Sequence, residues 1–398
     1  MHRRWIDPPL PSPEAEELAH RVGVARLTGQ LLWERGARDE DAARRFLDPN
    51  LDCLHDPLLL PDADRAVERL ARAVRERERI LVHGDYDVDG VCAAALLTRT
   101  LRVLQADVDH FVPHRRVQGY DLQVETVRER AAQGIRLIVT ADCGIVAFAG
   151  AEAARDLGVD LIVTDHHEPD GGGRLPVACA VVNPKRPGSR YPFPDLCGTA
   201  VAYKLCLALL DRLQVPSAGF RTRFLDLVAL ATCADCMPLL DENRVLVKHG
   251  LESIRNTNKA GLKALMQNSG LRADRLNTRA LGFALGPRIN AIGRMDDAAV
   301  ALELLLTSDA AEAENLAQRL EQANRDRQQE QEQIYQDAIR QSQRYLDDRI
   351  LVLSSPRWHP GIIGIVASRV VENCFRPAVL IAVDEATGRA RGSCRSLG

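Results

Sequence analysis

No run of apolar residues in this 398-residue chain approaches the ~18 needed to cross a bilayer, and its opening stretch, MHRRWIDPPLPSP, has no apolar core of the signal-peptide kind. The chain is therefore expected to work in the cytosol, with no membrane partner. A basic field is missing as well: 52 Lys and Arg stand against 55 Asp and Glu, a net charge of -3. Without a polycation signature, any contact with nucleic acid has to come from local groups. Ten cysteines are present, but Cys92, Cys206 and Cys233 sit inside apolar runs, where a thiol behaves as a small hydrophobe. Cys233 and Cys236 have zinc-knuckle spacing, yet no second CxxC or CxxH completes a tetrahedron.

What is present is the composition of an ordinary globular protein, long enough at ~150 residues per domain for two or three domains. Its focus is Ile80 to Leu97, ILVHGDYDVDGVCAAALL. Ile80, Leu81 and Val82 read as a buried strand and Val91 to Leu104 as a helix, so Asp85, Asp87 and Asp89 fall on the turn between them. Three like charges so close together repel, and a bound cation removes that cost; taken alone, the same triad also fits a solvated loop with a helix N-cap. Two further sites repeat the pattern. The run Arg136 to Thr140 leads into Ala141-Asp142-Cys143-Gly144, and Leu161 to Thr164 leads into Asp165-His166-His167. In an open parallel sheet all three land on the carboxyl edge, where ligands collect. A fourth apolar run, Phe224 to Thr232, helix or strand, delivers Asp235, for which a helix-terminal carboxylate facing water is an equal reading.

Residues 1–79 read as a helical collar, with Leu27, Leu31 and Leu32 on one face and a helix from Ala63 to Glu78. Residues 80–307 alternate between the two element types. Strands are expected at Ile80 to Gly84, Val108 to Pro113, Leu137 to Ala141, Leu161 to Asp165 and Ala178 to Asn183. Helices are expected at Val91 to Leu104, Leu122 to Gln133, Val146 to Leu157 and, fully buried, Cys197 to Leu213. That is a doubly wound α/β domain with a mainly parallel sheet. Gly286 to Arg294 reads as a basic, glycine-punctuated loop, either a surface turn or, through Arg288, Asn290 and Arg294, a phosphate contact. Residues 308–346, polar and free of proline and glycine, are expected to form one long bridging helix. Residues 347–398 begin a smaller α/β unit with strands at Ile350 to Leu353, Ala378 to Val383 and Arg389 to Ser393 and a helix from Ile362 to Glu372. So few elements cannot cover both faces of a sheet, and the unit is expected to be incomplete at Gly398.

HGDYDVDG, TADCG, VTDHH and ATCADCMP, in that order, resemble motifs I to IV of the DHH phosphoesterase superfamily. GYDL at Gly119, GPRINAIGRMDDA from Gly286, WHPGIIGIVASR from Trp358 and RGSCRS from Arg391 resemble the RecJ single-strand-specific exonucleases. The resemblance implies a catalytic DHH domain joined by a long helix to a smaller DHH-associated domain, with single-stranded DNA between them. It implies two divalent ions, Mn2+ or Mg2+, on Asp85, Asp87, Asp142, His166 and Asp235, with His167 beside the scissile phosphate or as an outer ligand and Asp89 in support. Phosphates would be gripped by Arg115, Arg288, Asn290, Arg294, His359, Ser393 and Arg395. The implied activity is digestion of single-stranded DNA from the 5′ end to mononucleotides, in DNA repair and recombination, by a monomer whose protein partners would be a helicase and a single-strand-binding protein.

The donor set agrees with that chemistry. Carboxylates and an imidazole are hard ligands that suit Mn2+ or Mg2+, and two ions ~4 Å apart activate water and clamp both oxygens of an in-line displacement. The sequence departs from the family at Asp121 and at Cys394, each in place of a glycine, and Cys394 is expected to narrow the approach of backbone to phosphate. Two other readings stand beside this one. A phosphodiesterase for very short oligonucleotides, cyclic dinucleotides or nucleotide bisphosphates would differ in its product lengths. A non-catalytic replication scaffold would have lost the ligands that are present here.

Overall fold

In the computed structural model, residues 11–114, 118–119, 121–295, 297–345 and 348–397 are described. Three short helices come first, α1 (Pro13–Val22), α2 (Arg26–Glu34) and α3 (Glu40–Leu47). Ser12 and Asp39 cap the first and third by accepting the N–H of Ala15 and Ala42. Leu18, Leu32, Ala37 and Ala43 bury together as a small core of their own. Leu27 and Leu31, expected beside Leu32, are 60% and 43% exposed. At 100° per residue those two share one stripe while Leu32 starts the next, and only the latter faces inward. Helix α4 (Ala63–Glu76), read from sequence as part of the collar, buries Ala66, Val67, Leu70 and Ala71 in the main core instead.

Five parallel strands follow: β1 (Ile80–Gly84), β2 (Val108–Phe111), β3 (Leu137–Ala141), β4 (Asp160–Thr164) and β5 (Ala180–Val182), in the order β2-β1-β3-β4-β5. Each lies within about three residues of its expected place. Ile80 and Val82 enter the core with α4, α5 (Val88–Val103) and α8 (Gly198–Arg212), whereas Leu81 enters the core with α6 (Val124–Ala132) and α7 (Phe148–Asp156). Both faces are thus covered, which is why these strands read as unbroken apolar runs. Helix α5 starts three residues before Val91, because Asp87 accepts the Gly90 N–H and caps the helix directly on the acid turn. The chain passes from β1 to β2 on one side and then to β3 on the other. The crevice at this reversal, outside the carboxyl ends, is where a doubly wound sheet takes its ligands.

The next stretch is helical: α9 (Ala218–Arg223), α10 (Leu225–Ala234), α11 (Asp241–Arg255), α12 (Ala260–Asn268), α13 (Thr278–Ala280), a π turn (Leu281–Leu285), α14 (Gly286–Met295) and α15 (Ala299–Leu306). The expected loop from Gly286 to Arg294 is therefore a helix. Pro287 has no N–H and would crowd the carbonyl four residues back; the wider π turn immediately before it absorbs that conflict. Burial of Ile289, Ala291 and Ile292 then holds the segment down as a packed helix.

Helix α16 (Ala310–Ser342) is the bridging helix, capped by Asp309. Its Ala313, Leu316, Ala317, Leu320 and Ala323 belong to the main core, and its Ile334 and Ala338 to a second one. That second core lies under β6 (Leu351–Ser355), α17 (Ile363–Cys374), β7 (Ala378–Asp384) and β8 (Arg389–Arg395), a sheet in the order β6-β7-β8 whose last pair is antiparallel. Among the described residues, no helix is long and apolar enough to cross a membrane.

Candidate metal centre

Four chain segments deliver acids and imidazoles to one place. Asp85 follows β1 and is buried; a Cβ on Gly90 would come within 2.5 Å of its backbone nitrogen, so the first turn of α5 lies directly against it. Asp142 follows β3 with φ 65°, a left-handed conformation that Asp tolerates better than most residues, and its N–H donates to the Thr164 carbonyl. Asp165, His166 and His167 follow β4, and Asp235 ends α10.

His166 Nε2 lies 3.2 Å from Asp142 Oδ1 and 3.6 Å from both Asp89 Oδ2 and Asp235 Oδ2. His167 Nδ1 is 3.8 Å from Asp142 Oδ1. Donor atoms within 4.8 Å of one another group as Asp85, Asp87 and Asp142, as Asp142, His166 and His167, and as Asp89, His166 and Asp235. Asp142 and His166 each belong to two groups, so the three groups form one continuous cluster. Every acid and imidazole singled out in the sequence as catalytic is in it.

Two contributors had no role in the sequence reading. The start of α8 looked like plain buried helix, but Asp89 accepts the N–H of Gly198 at 2.6 Å and of Thr199 at 2.7 Å. A Cβ on Gly198 would stand 2.5 Å from Asp142 Oδ1, which makes that glycine part of the wall. The second is Asp165. One of its oxygens accepts the His166 N–H, the His167 N–H and His167 Nδ1–H at 2.7, 3.0 and 2.8 Å, and the other accepts the Ile145 N–H at 2.9 Å. It orients the histidines; its place in the DHH triplet was the signal that could have found it.

Negative charge dominates the cluster. Burial, then Asp87, pushes the Asp85 carboxyl up to about 7; burial, then Asp89 and Asp87, does the same for Asp235. Asp142 is driven well above the carboxylate range by burial and then by Asp89 and Asp87. Asp165 goes the other way: burial opposes its charge, but the hydrogen bond from His167 holds it low, and that bond raises His167 to about 9. Asp85 Oδ1, both Asp142 oxygens and His166 Nδ1 are buried with no hydrogen-bond partner. Each such atom costs ~1–3 kcal/mol unless a counter-charge meets it. Oxygen donors with imidazole nitrogen fit a hard divalent cation, and the cluster passes that test.

The model of the DHH family, N-terminal domain, matches residues 79–232. RecJ of Salmonella typhimurium, a single-stranded-DNA-specific exonuclease, is 40% identical over 402 residues, which cover 96% of this chain and 68% of that relative. The chain belongs to the RecJ family. RecJ of Bacillus subtilis, also a single-stranded-DNA-specific exonuclease, is 39% identical over 395 residues, 99% of this chain and 49% of that relative. The crystal structure of RecJ in complex with Mn2+ from Thermus thermophilus matches with a TM-score of 0.82 at 36% identity, covering 98% of this chain and 54% of that one. This chain thus spans between about half and two-thirds of the RecJ relatives it matches.

The expected phosphate-facing residues of this RecJ-family chain divide into two sets. Ser393 and Arg395 lie on the face of β8 that α17 covers; a Cβ on Gly364, in the first turn of α17, would sit 3.1 Å from Ser393 Oγ and 3.4 Å from an Arg395 guanidinium nitrogen. They therefore pack against the first turn of α17, where the N–H groups of Ile363 and Ile365 already donate to the His359 and Ile362 carbonyls. Cys394 pairs with Val379 and points to the opposite face, away from Ser393 and Arg395. His359 Nδ1 accepts the Gly361 N–H at 3.1 Å and shapes the preceding loop. Arg115 and the side chain of Arg294 lie outside the described residues.

Arg288 and Asn290 are engaged inside the fold. Asn290 Oδ1 accepts the Val88 N–H at 3.1 Å and steadies the acid turn. Arg288 donates to Glu321 at 2.6 Å and to the Ala284 carbonyl at 2.7 Å, with both ends of the ion pair about 15% exposed. Its guanidinium joins α14 to α16 through a partner 33 residues away. Arg288→Ala is expected to lower stability by roughly 1–3 kcal/mol, since among the described residues Glu321 then keeps only Arg325. The salt slope of single-strand binding should stay unchanged in that variant. A slope reduced by about one would return Arg288 to the phosphates.

Proposed function

We propose that this chain is a metal-dependent, single-strand-specific exodeoxyribonuclease that removes mononucleotides from the 5′ end of DNA. In this reading two divalent cations, Mn2+ or Mg2+, are held by Asp85, Asp87, Asp142, His166 and Asp235. The observation that carries it is the buried, partnerless set of Asp85 and Asp142 oxygens inside overlapping donor groups. When bound, such ions activate water and neutralise the attacking and leaving oxygens of an in-line displacement at phosphorus.

The side chains of the protein do the aiming. Asp165 locks the His167 ring by its Nδ1–H beside Asp142, where it would face the scissile phosphate. Asp89 holds the start of α8, and with it Gly198, against Asp142. Ser393, Arg395, His359 and the first turn of α17 would grip the strand, together with Arg115 and Arg294. Helix α16 contributes side chains to both cores and so joins grip to centre. The enzyme would act in DNA repair and recombination as a cytosolic monomer, with a helicase and a single-strand-binding protein preparing its substrate.

The test uses 5′- and 3′-labelled DNA, single- and double-stranded, with Mn2+, with Mg2+ and with chelator. A 5′ label on the single strand should leave first, as mononucleotide, with either ion and not with chelator. Early loss of the 3′ label would reverse the polarity. Activity in chelator would remove the metal requirement.

A further inference from the structure

Helix α16 passes from one core to the other with its core residues on one face. Ala313, Ala317 and Leu320 belong to the main core and Ile334 and Ala338 to the second, each group spaced by steps of three or four residues. The same steps carried from Leu320 to Ile334 pass through Asn324, Arg327 and Gln331. Between the cores, the helix therefore turns a polar ladder to the side that both cores occupy. Arg327 donates from Nη2 to Asn324 Oδ1 at 2.9 Å and from Nη1 to Gln331 Oε1 at 2.8 Å. With their oxygens used in this way, the two amides keep their N–H groups as further donors. Towards the metal centre, the neighbour of α16 is α14. A Cβ on its Gly293 would stand 2.7 Å from the Tyr86 carbonyl oxygen in the acid turn, its Asn290 takes the Val88 N–H, and its Arg288 reaches Glu321 on α16. Arg327 lies ~9 Å of helix beyond Glu321, on the way to the second core.

Arg325 and Arg340 on the same helix pair with Glu321 and Asp337. Arg327 is half-buried, has no acid partner among the described residues, and has its Nε buried without an acceptor. Asp326 and Glu330, close to it in sequence, form no ion pair with it and line a cavity beside Trp358 instead. Burial and the Arg288 guanidinium both work against its charge, and a partly buried cation met only by neutral groups lowers stability. We propose that Arg327 is a backbone-phosphate contact for single-stranded DNA on the floor of the cleft between the two cores, its guanidinium oriented by Asn324 and Gln331. The proposal rests on the nuclease reading given above and adds a contact between the metal centre and the grip. A phosphodiester offers only acceptors and a negative charge, which complements a ladder of donors around an unneutralised guanidinium. Such a contact holds the strand without reading its bases.

The experiment compares the wild type, Arg327→Gln and Arg327→Lys. Fluorescence anisotropy with labelled oligo(dT) and oligo(dA) in chelator, over a range of KCl, gives affinity and salt slope; KM and kcat for digestion of the same strands with Mn2+ and melting curves complete the set. Arg327→Gln is expected to bind both strands roughly tenfold more weakly, with a salt slope shallower by about one. Its KM should rise with kcat unchanged, and it should melt no lower than the wild type. Arg327→Lys keeps the charge and should keep the slope. Should Arg327→Gln fail to fold, Arg327→Met, which retains most of the aliphatic stem, is read in the same way. Unchanged affinity, KM and slope in the neutral variant overturn the proposal. So does a loss confined to one of the two oligonucleotides, which would make Arg327 a base contact, and so does weaker binding at an unchanged slope with a lower melting temperature, which would make it a prop of the fold. A wild type that neither binds the strands in chelator nor digests them with Mn2+ would overturn the nuclease reading itself, an outcome distinct from equal behaviour of wild type and variant.

Discussion

Asp142→Asn is expected to lower the rate of hydrolysis by about 1,000-fold or more, some 4 kcal/mol of transition-state stabilisation, while leaving the fold intact. Asp142 stands in two of the three donor groups, a position it shares only with His166, so its loss removes a donor from most of the cluster. The amide is isosteric and keeps clear of Gly198, where any larger group would collide. The same variant separates charge from shape through stability. In the metal-free wild type, the carboxyls of Asp85, Asp142 and Asp235 hold their protons to higher pH than in the unfolded chain, because burial and neighbouring acids oppose their ionisation. The folded state then binds more protons than the unfolded state, and stability falls as pH rises from about 4 towards 7. Asp142→Asn deletes one of these groups, so its metal-free form should lose less stability over that range, a gain of roughly 1–3 kcal/mol near neutral pH. Melting curves in chelator at several pH values, beside a single-turnover assay with Mn2+, check both parts. Hydrolysis at the wild-type rate would take Asp142 out of the centre.

Asp89→Ala should produce the largest stability loss, about 3 kcal/mol, with or without metal. The carboxylate is 1% exposed and receives the amides of Gly198 and Thr199, while the Thr199 hydroxyl donates to the Asp89 carbonyl. Truncation leaves two buried N–H groups at the start of α8 without a partner, ~1–3 kcal/mol each, and removes an anion from a helix N-terminus. Relief of repulsion between Asp89 and Asp142 offsets part of that loss. Denaturant titrations with and without Mn2+ measure the effect. A loss below ~1 kcal/mol would mean that α8 is anchored by its apolar face alone. Activity should fall with stability here, since Gly198 is carried towards or away from Asp142 by this anchor.

The sequence and the fold agree most closely where the signal is local. The β1, β3 and β4 runs appear as strands almost residue for residue, and Ala310 to Ser342 forms the single long helix that its lack of proline and glycine implies. They diverge where a breaker residue is absorbed by packing. Pro287 and the glycines around it suggested a loop, yet a π turn and the burial of Ile289 and Ile292 make it helix. Cys394 looked obstructive in one dimension, yet in the pleat, where alternate residues face apart, it points away from Ser393 and Arg395.

By itself the sequence determined the alternation of elements and, through it, that Asp85, Asp142 and His166 share one edge: parallel strands have their carboxyl ends on the same side, so position along the chain already implies convergence in space. The tertiary structure alone decided what each polar group meets there. Asp89 finds the Gly198 N–H 109 residues on, Asn290 finds the Val88 N–H 202 residues back, and Arg288 is taken by Glu321 rather than left for phosphate. Hydrogen-bond partners at such separations depend on how helices pack, and no local periodicity carries that information.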